Sequence, residues 1–166
     1  AKIAKGINAK FIVDTSGEAL KQAADEGVYL LKPNLGELSS LAGKKELLPD
    51  EVKDIASGII EKGNCEVMVV SMGASGAMLV TNKMAEIIMP PAVIKKSTVG
   101  AGDSMVAGII FFLSEGRSLV EAVQYGAACG TAATMNPGTE LCKREDADAL
   151  YESIRTAGRN SSFITV

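Results

Sequence analysis

The sequence contains no histidine and no tryptophan, and the missing histidine restricts the chemistry most. Without it there is no Ser-His-Asp or Cys-His arrangement and no histidine-ligated metal centre, so acid and base work falls to Asp, Glu, Lys, Tyr or Cys. Cysteine is scarce. Cys65, Cys129 and Cys142 form no CxxC pair, which points to neither a disulfide framework nor a structural zinc site and fits a reducing cytoplasm. Aromatic residues make up 4% of the chain, so Leu, Ile, Val, Ala and the seven methionines must build the interior. Lys95-Lys96 and Glu115-Gly116-Arg117 interrupt the longest apolar stretches, and none approaches the ~20 residues of a membrane span. The first residues, Ala1-Lys2-Ile3-Ala4, lack both an initiating methionine and the apolar core of a secretory signal, and they read as a cut point. A formal net charge of -3 excludes a generally basic surface for nucleic acid or anionic lipid, so any phosphate site must be local.

What is present, 166 residues with 47% hydrophobic and 22% charged, suits one globular domain with a sizeable core. Short apolar runs at Phe11–Asp14, Val28–Leu31 and Val67–Val70 predict buried strands. Between them, helical spacing predicts helices over Glu18–Glu26, over the segment carrying Leu35, Leu38 and Leu41, and from Val52 to near Gly63. Ala77–Thr81 and Ala85–Met89, joined at Asn82-Lys83, predict an antiparallel hairpin over 77–89. Three helices follow, Asp103–Ser114, Leu119–Met135 and Arg144–Arg155, and Phe163–Val166 is expected to end the chain as a strand. Strands alternating with helices imply an α/β fold whose mostly parallel sheet is flanked by helices.

Four segments carry residues suited to chemistry. In the first, Gly100-Ala101-Gly102-Asp103 opens an apolar helix, where unpaired backbone N–H groups suit an anion and Asp103 could accept a proton from an attacking hydroxyl. The plainer reading makes Asp103 a helix cap. GxGxxG fails at Met105, and no GxxxxGK[ST] occurs. In the second, Lys32 stands at a strand end, and Asn34 and Glu37 lie three residues apart, able to hold magnesium through water or to form a capping box. From residue type alone the cap is preferred. In the third, Ser71, Gly73 and Gly76 follow a strand end, suited to wrapping phosphates or to a glycine-rich turn. In the fourth, Asn136-Pro137-Gly138-Thr139 ends an alanine-rich helix, either as a stop signal or at the border of a base pocket.

Taken together and in this order, the segments Lys32–Ser39, Val70–Gly76, Ser97–Met105 and Gly130–Thr139 resemble the ribokinase (PfkB) family of carbohydrate kinases, and within it the phosphofructokinase branch. The resemblance implies a ribokinase-like three-layer fold, present in part, and ATP-dependent transfer to a sugar phosphate such as fructose 6-phosphate. By it, Gly100, Ala101 and Gly102 form the anion hole and Asp103 is the catalytic base. Lys32 contacts nucleotide phosphate, while Asn34 and Glu37 belong to the Mg²⁺-linked motif. Ser71, Gly73 and Gly76 form the nucleotide loop, and Ala127, Thr131 and Asn136 line the adenine pocket. A monovalent cation, K⁺, would sit at Ser97, Val99, Ala133, Asn136 and Gly138, although Glu140 departs from the basic residue of the phosphofructokinase pattern. The chain would then be a nucleotide-binding C-terminal portion of a homodimeric cytoplasmic kinase, without the sugar-binding half and lid and inactive alone. The competing reading is a noncatalytic nucleotide-binding or assembly module that keeps the fold.

Overall fold

The computed structural model describes residues 1–161, and the strand expected at Phe163–Val166 lies outside them. The chain divides into two compact units. One is formed by Ala1–Gly73 with Ala77–Ile87, the other by Ala74–Gly76 with the chain from Ile88 onward.

The first unit is built on a five-stranded sheet in sequential order: β1 (Ile12–Val13), β2 (Val28–Leu31), β3 (Cys65–Ser71), β4 (Ala77–Thr81) and β5 (Ala85–Ile88). β1, β2 and β3 run parallel, and β4 runs antiparallel to β3. The sheet is therefore mixed, because helical crossovers can return a strand in the same direction whereas the turn at Asn82-Lys83 can only reverse it. Four helices belong to this unit: α1 (Lys2–Gly6), α2 (Gly17–Glu26), α3 (Leu35–Leu41) and α4 (Val52–Glu61). α1 was not expected. It buries no residue, and Ile3 within it and Ile7 just after it stay exposed, so it carries no inward-facing period to detect.

α2 turns Leu20 and Ala24 inward at i, i+4, and α4 does the same with Val52, Ala56, Ile59 and Ile60. These pack with Leu31, Met68, Val70, Met78 and Val80 into one core, where Met68 faces Val80 and Val70 faces Met78 across β3 and β4. The alternating residues Leu30, Val67, Val69 and Leu79 are equally buried. Gly27 ends α2 at φ 69°, and a Cβ there would lie 2.9 Å from the Gly63 carbonyl oxygen.

The second unit contains α5 (Ala101–Ser114), α6 (Leu119–Thr134) and α7 (Arg144–Ser161). α6 starts with a capping box in which the Ser118 hydroxyl accepts from the Glu121 N–H and the Glu121 carboxylate accepts from the Ser118 N–H. α5 and α6 touch backbone to backbone. A Cβ at Gly126 would lie 2.5 Å from Ile109 Cγ1 and 2.8 Å from the Met105 carbonyl, and one at Gly130 would lie 3.0 Å from the Ala101 carbonyl. At the other end of this helix pair, Phe112 stacks on Tyr125 at 3.9 Å between ring centroids, and Tyr151 of α7 meets both rings edge-on. The Tyr125 hydroxyl donates to Asp148, and burial followed by that bond raises its pKa.

Two outcomes follow from this packing. Gly126→Ala forces α5 and α6 apart and should destabilise the protein by about 1–3 kcal/mol, read as a lower midpoint in urea unfolding. Burial also pushes the Cys65 and Cys129 thiols up to about 12, whereas Cys142 is only half-buried. A thiol reagent at neutral to mildly alkaline pH should label Cys142 first and the other two only on unfolding; rapid native labelling of all three would contradict the packing.

Candidate active site

The parallel strands β1, β2 and β3 present their carboxyl ends on one edge of the sheet, the edge where open α/β sheets hold ligands. Lys32 follows β2 and Ser71 ends β3, and the Ser71 N–H donates to the Pro33 carbonyl at 2.9 Å. Asn34 pairs with Ser71 as a parallel bridge, so the lysine segment and the start of the glycine-rich loop form one continuous rim. Lys32 is buried, and its Nζ lies 3.0 Å from an Asp14 carboxylate oxygen just beyond β1.

Asn34 and Glu37 form the capping box of α3. The Asn34 Oδ1 accepts from the Glu37 N–H at 2.9 Å, and Glu37 Oε2 accepts from the Asn34 N–H at 2.8 Å. The preference for a cap is thus met. The cap leaves Glu37 Oε1 without a bond in it, so the pair fits magnesium held through water and does not fit a cage of direct ligands. Among the described residues no group of three or more acidic, cysteine or histidine side chains gathers as such a cage.

The turn after β3 is a single 3₁₀ turn over Gly73–Ser75. Gly73 and Gly76 have φ of 60° and 83°, and a Cβ at Gly76 would fall 2.1 Å from the Ile88 carbonyl oxygen. Only glycine fits there.

In the second unit Gly100 caps α5 in the left-handed conformation, φ 77°, and the helix begins at Ala101, two residues earlier than expected. Asp103 therefore lies in the first turn and is not the cap residue; its structural contribution is that of a carboxylate facing the positive end of the helix dipole. The first intrahelical bond runs from the Ser104 N–H to the Gly100 carbonyl, so the Gly102 and Asp103 N–H groups have no intrahelical acceptor. The Asp103 side chain is exposed beside them. This gives an exposed carboxylate and two free amides at the positive end of a 14-residue helix.

Around it, the Ser97 hydroxyl donates to the Gly138 carbonyl at 2.6 Å, which closes the loop before α5 onto the loop after α6. The Lys96 and Ser97 N–H groups both donate to the Thr134 carbonyl. Asn136 is buried, its N–H bonded to the Ala133 carbonyl and its side-chain amide to the Leu141 carbonyl, so it both stops α6 and shapes the following loop. Ala127 and Thr131 lie one turn apart on α6, the first buried and the second partly exposed. Of the residues expected at a cation site, Ser97 is thus bonded to Gly138 and Asn136 to Ala133. Val99, in the same loop, donates its N–H to the Ser97 hydroxyl. Asp14, the partner of Lys32, was not among the candidates read from the sequence; its only signal there is a carboxylate ending a short apolar run.

Comparison with known proteins gives the class. The family model for pfkB family carbohydrate kinase matches residues 1–146. The chain is 45% identical over 141 residues to the ATP-dependent 6-phosphofructokinase isozyme 2 of Escherichia coli, 84% of this chain and 46% of that protein. It is 39% identical over 152 residues to the isozyme 2 of Mycobacterium tuberculosis, 92% and 44% of the two chains. A crystal structure of phosphofructokinase-2 from Escherichia coli in complex with potassium superposes with TM-score 0.89 at 41% identity, covering 93% of this chain and 50% of that one. The Arabidopsis thaliana ribokinase, at 23% identity and TM-score 0.74, shares the fold. The chain belongs to the pfkB family of carbohydrate kinases, and it spans about half the length of the curated relatives it matches.

Asn34→Ala removes the cap of α3 and should cost about 1 kcal/mol of stability. An unchanged urea midpoint would show that the box is not formed in solution.

Proposed function

We propose that this chain is the nucleotide-binding portion of a phosphofructokinase-like sugar kinase that transfers the γ-phosphoryl group of ATP to a hydroxyl of a sugar phosphate, with fructose 6-phosphate as acceptor. The observation that carries the reading is Asp103, exposed and uncommitted in the first turn of α5 beside two free amides. In the reaction the acceptor oxygen forms a bond to the γ-phosphorus while the bond from that phosphorus to the β-bridging oxygen breaks. Asp103 takes the hydroxyl proton as this happens and later passes it to water. The N–H groups of the Gly100–Gly102 turn and the helix dipole stabilise the charge on the phosphoryl oxygens. Lys32 binds nucleotide phosphate, Ser71, Gly73 and Gly76 wrap it, and Ala127, Thr131 and Asn136 border the adenine.

Asn34 and Glu37 would hold magnesium through water, and the ion, when bound, neutralises the phosphate oxygens. Ser97, Val99, Ala133, Asn136 and Gly138 would hold potassium, a reading favoured by the relative crystallised in complex with that ion. The complete kinase is read as a cytoplasmic homodimer whose remaining half supplies most acceptor contacts. The 166-residue chain alone then binds nucleotide weakly without appreciable turnover, since positioning and water exclusion account for much of catalysis.

Asp103→Asn in a complete kinase carrying this segment should lower kcat by about a thousandfold and leave nucleotide affinity nearly unchanged. Undiminished turnover would remove Asp103 from the mechanism, and brisk phosphorylation of fructose 6-phosphate by the 166-residue chain would refute the need for a second half.

A further inference from the structure

We infer that Asp14 is a positioning residue for the nucleotide phosphates, its carboxylate holding the Lys32 ammonium at the carboxyl edge of the sheet. The inference rests on the proposed role of Lys32.

Of the ion pairs given for the described residues, this one alone buries its cation. The Lys32 side chain is 5% exposed and the Asp14 side chain 25%, whereas every charged group in the other pairs is at least one-third exposed. A buried ammonium is costly and survives only when paired, and an apolar side chain in the same place packs against neighbours without that cost. Retention of the pair therefore asks for a use. Its position supplies one. β1 and β2 are neighbouring parallel strands in register Val13 with Leu31, and the Lys32 N–H continues the ladder to the Val13 carbonyl at 3.0 Å. Asp14 and Lys32 are thus the first residues beyond two adjacent strand ends, on the rim that carries Asn34 and Ser71.

A lysine stem has four rotatable bonds and an ammonium three N–H donors. One donor on the Asp14 oxygen at 3.0 Å fixes the stem in a single arrangement and leaves the others for phosphate. The entropy of ordering the side chain is then met on folding and not on binding. A partly exposed aspartate is also a weaker competitor for the lysine than a deeply buried one would be.

The test uses the 166-residue chain and two probes, MgATP and adenosine. Asp14→Asn keeps the size of the side chain and an acceptor oxygen while removing its charge, and it should raise the Kd for MgATP about tenfold with the Kd for adenosine unchanged. Lys32→Gln should lose the same phosphate-dependent increment, and the double variant should be no weaker than Lys32→Gln alone. A lower melting temperature with unchanged MgATP affinity in Asp14→Asn would make the pair purely structural and overturn the inference. So would losses that add in the double variant. If Asp14→Asn does not fold, Asp14→Glu serves in its place, with a loss confined to MgATP expected and equal loss of both probes counting against the idea. MgATP affinity unaffected by Lys32→Gln, or no saturable MgATP binding by the unsubstituted chain, would instead overturn the nucleotide-site reading on which the inference stands.

Discussion

The direct approach of α5 to α6 sets the geometry of everything around Asp103. Gly108, Gly126 and Gly130 remove the side chains that would separate the two helices, and the Ala101 carbonyl rests against Gly130 where α5 begins. The first turn of α5 is thereby fixed by contact with a buried helix and not by a flexible loop, which is what a group that must face a developing charge needs. A side chain at Gly126 or Gly130 would meet Met105, Ile109 or the Ala101 carbonyl and push the start of α5 out of place.

A second constraint operates on the sheet edge. Asn34 and Glu37 cap α3 through Asn34 Oδ1 and Glu37 Oε2, and the cap makes no use of Glu37 Oε1. Structural and functional readings of these residues therefore do not compete. Asn136 is likewise committed to structure, stopping α6 and holding the Leu141 carbonyl.

The elements most legible in the sequence were those with one strong period and clear punctuation. β2, α3 and β4 fall where Val28–Leu31, Leu35–Leu41 and Ala77–Thr81 placed them, because each is bounded by Gly, Pro or Asn. Boundaries drifted where no such signal exists: β3 extends to Cys65 and Ser71 through pairing with its neighbours, a nonlocal cause. α5 begins at Ala101 because left-handed Gly100 can serve as cap, a role assigned from sequence to aspartate. The candidate site was legible as four segments. What no single segment contains is the Asp14–Lys32 pair, made by strand register across 18 residues of chain.

The cluster of Phe112, Tyr125 and Tyr151 has an optical consequence. The protein has three tyrosines and no tryptophan, so tyrosine dominates its ultraviolet signals. Tyr125 and Tyr151 sit in asymmetric, closely packed surroundings in the second unit, while Tyr29 lies in the first with the Lys10 ammonium 4.8 Å from its ring centroid. Near-ultraviolet dichroism therefore reports chiefly on the helices that carry Asp103, and far-ultraviolet dichroism reports on the whole chain. Divergence between the two during unfolding measures, without any label, whether the two units come apart together.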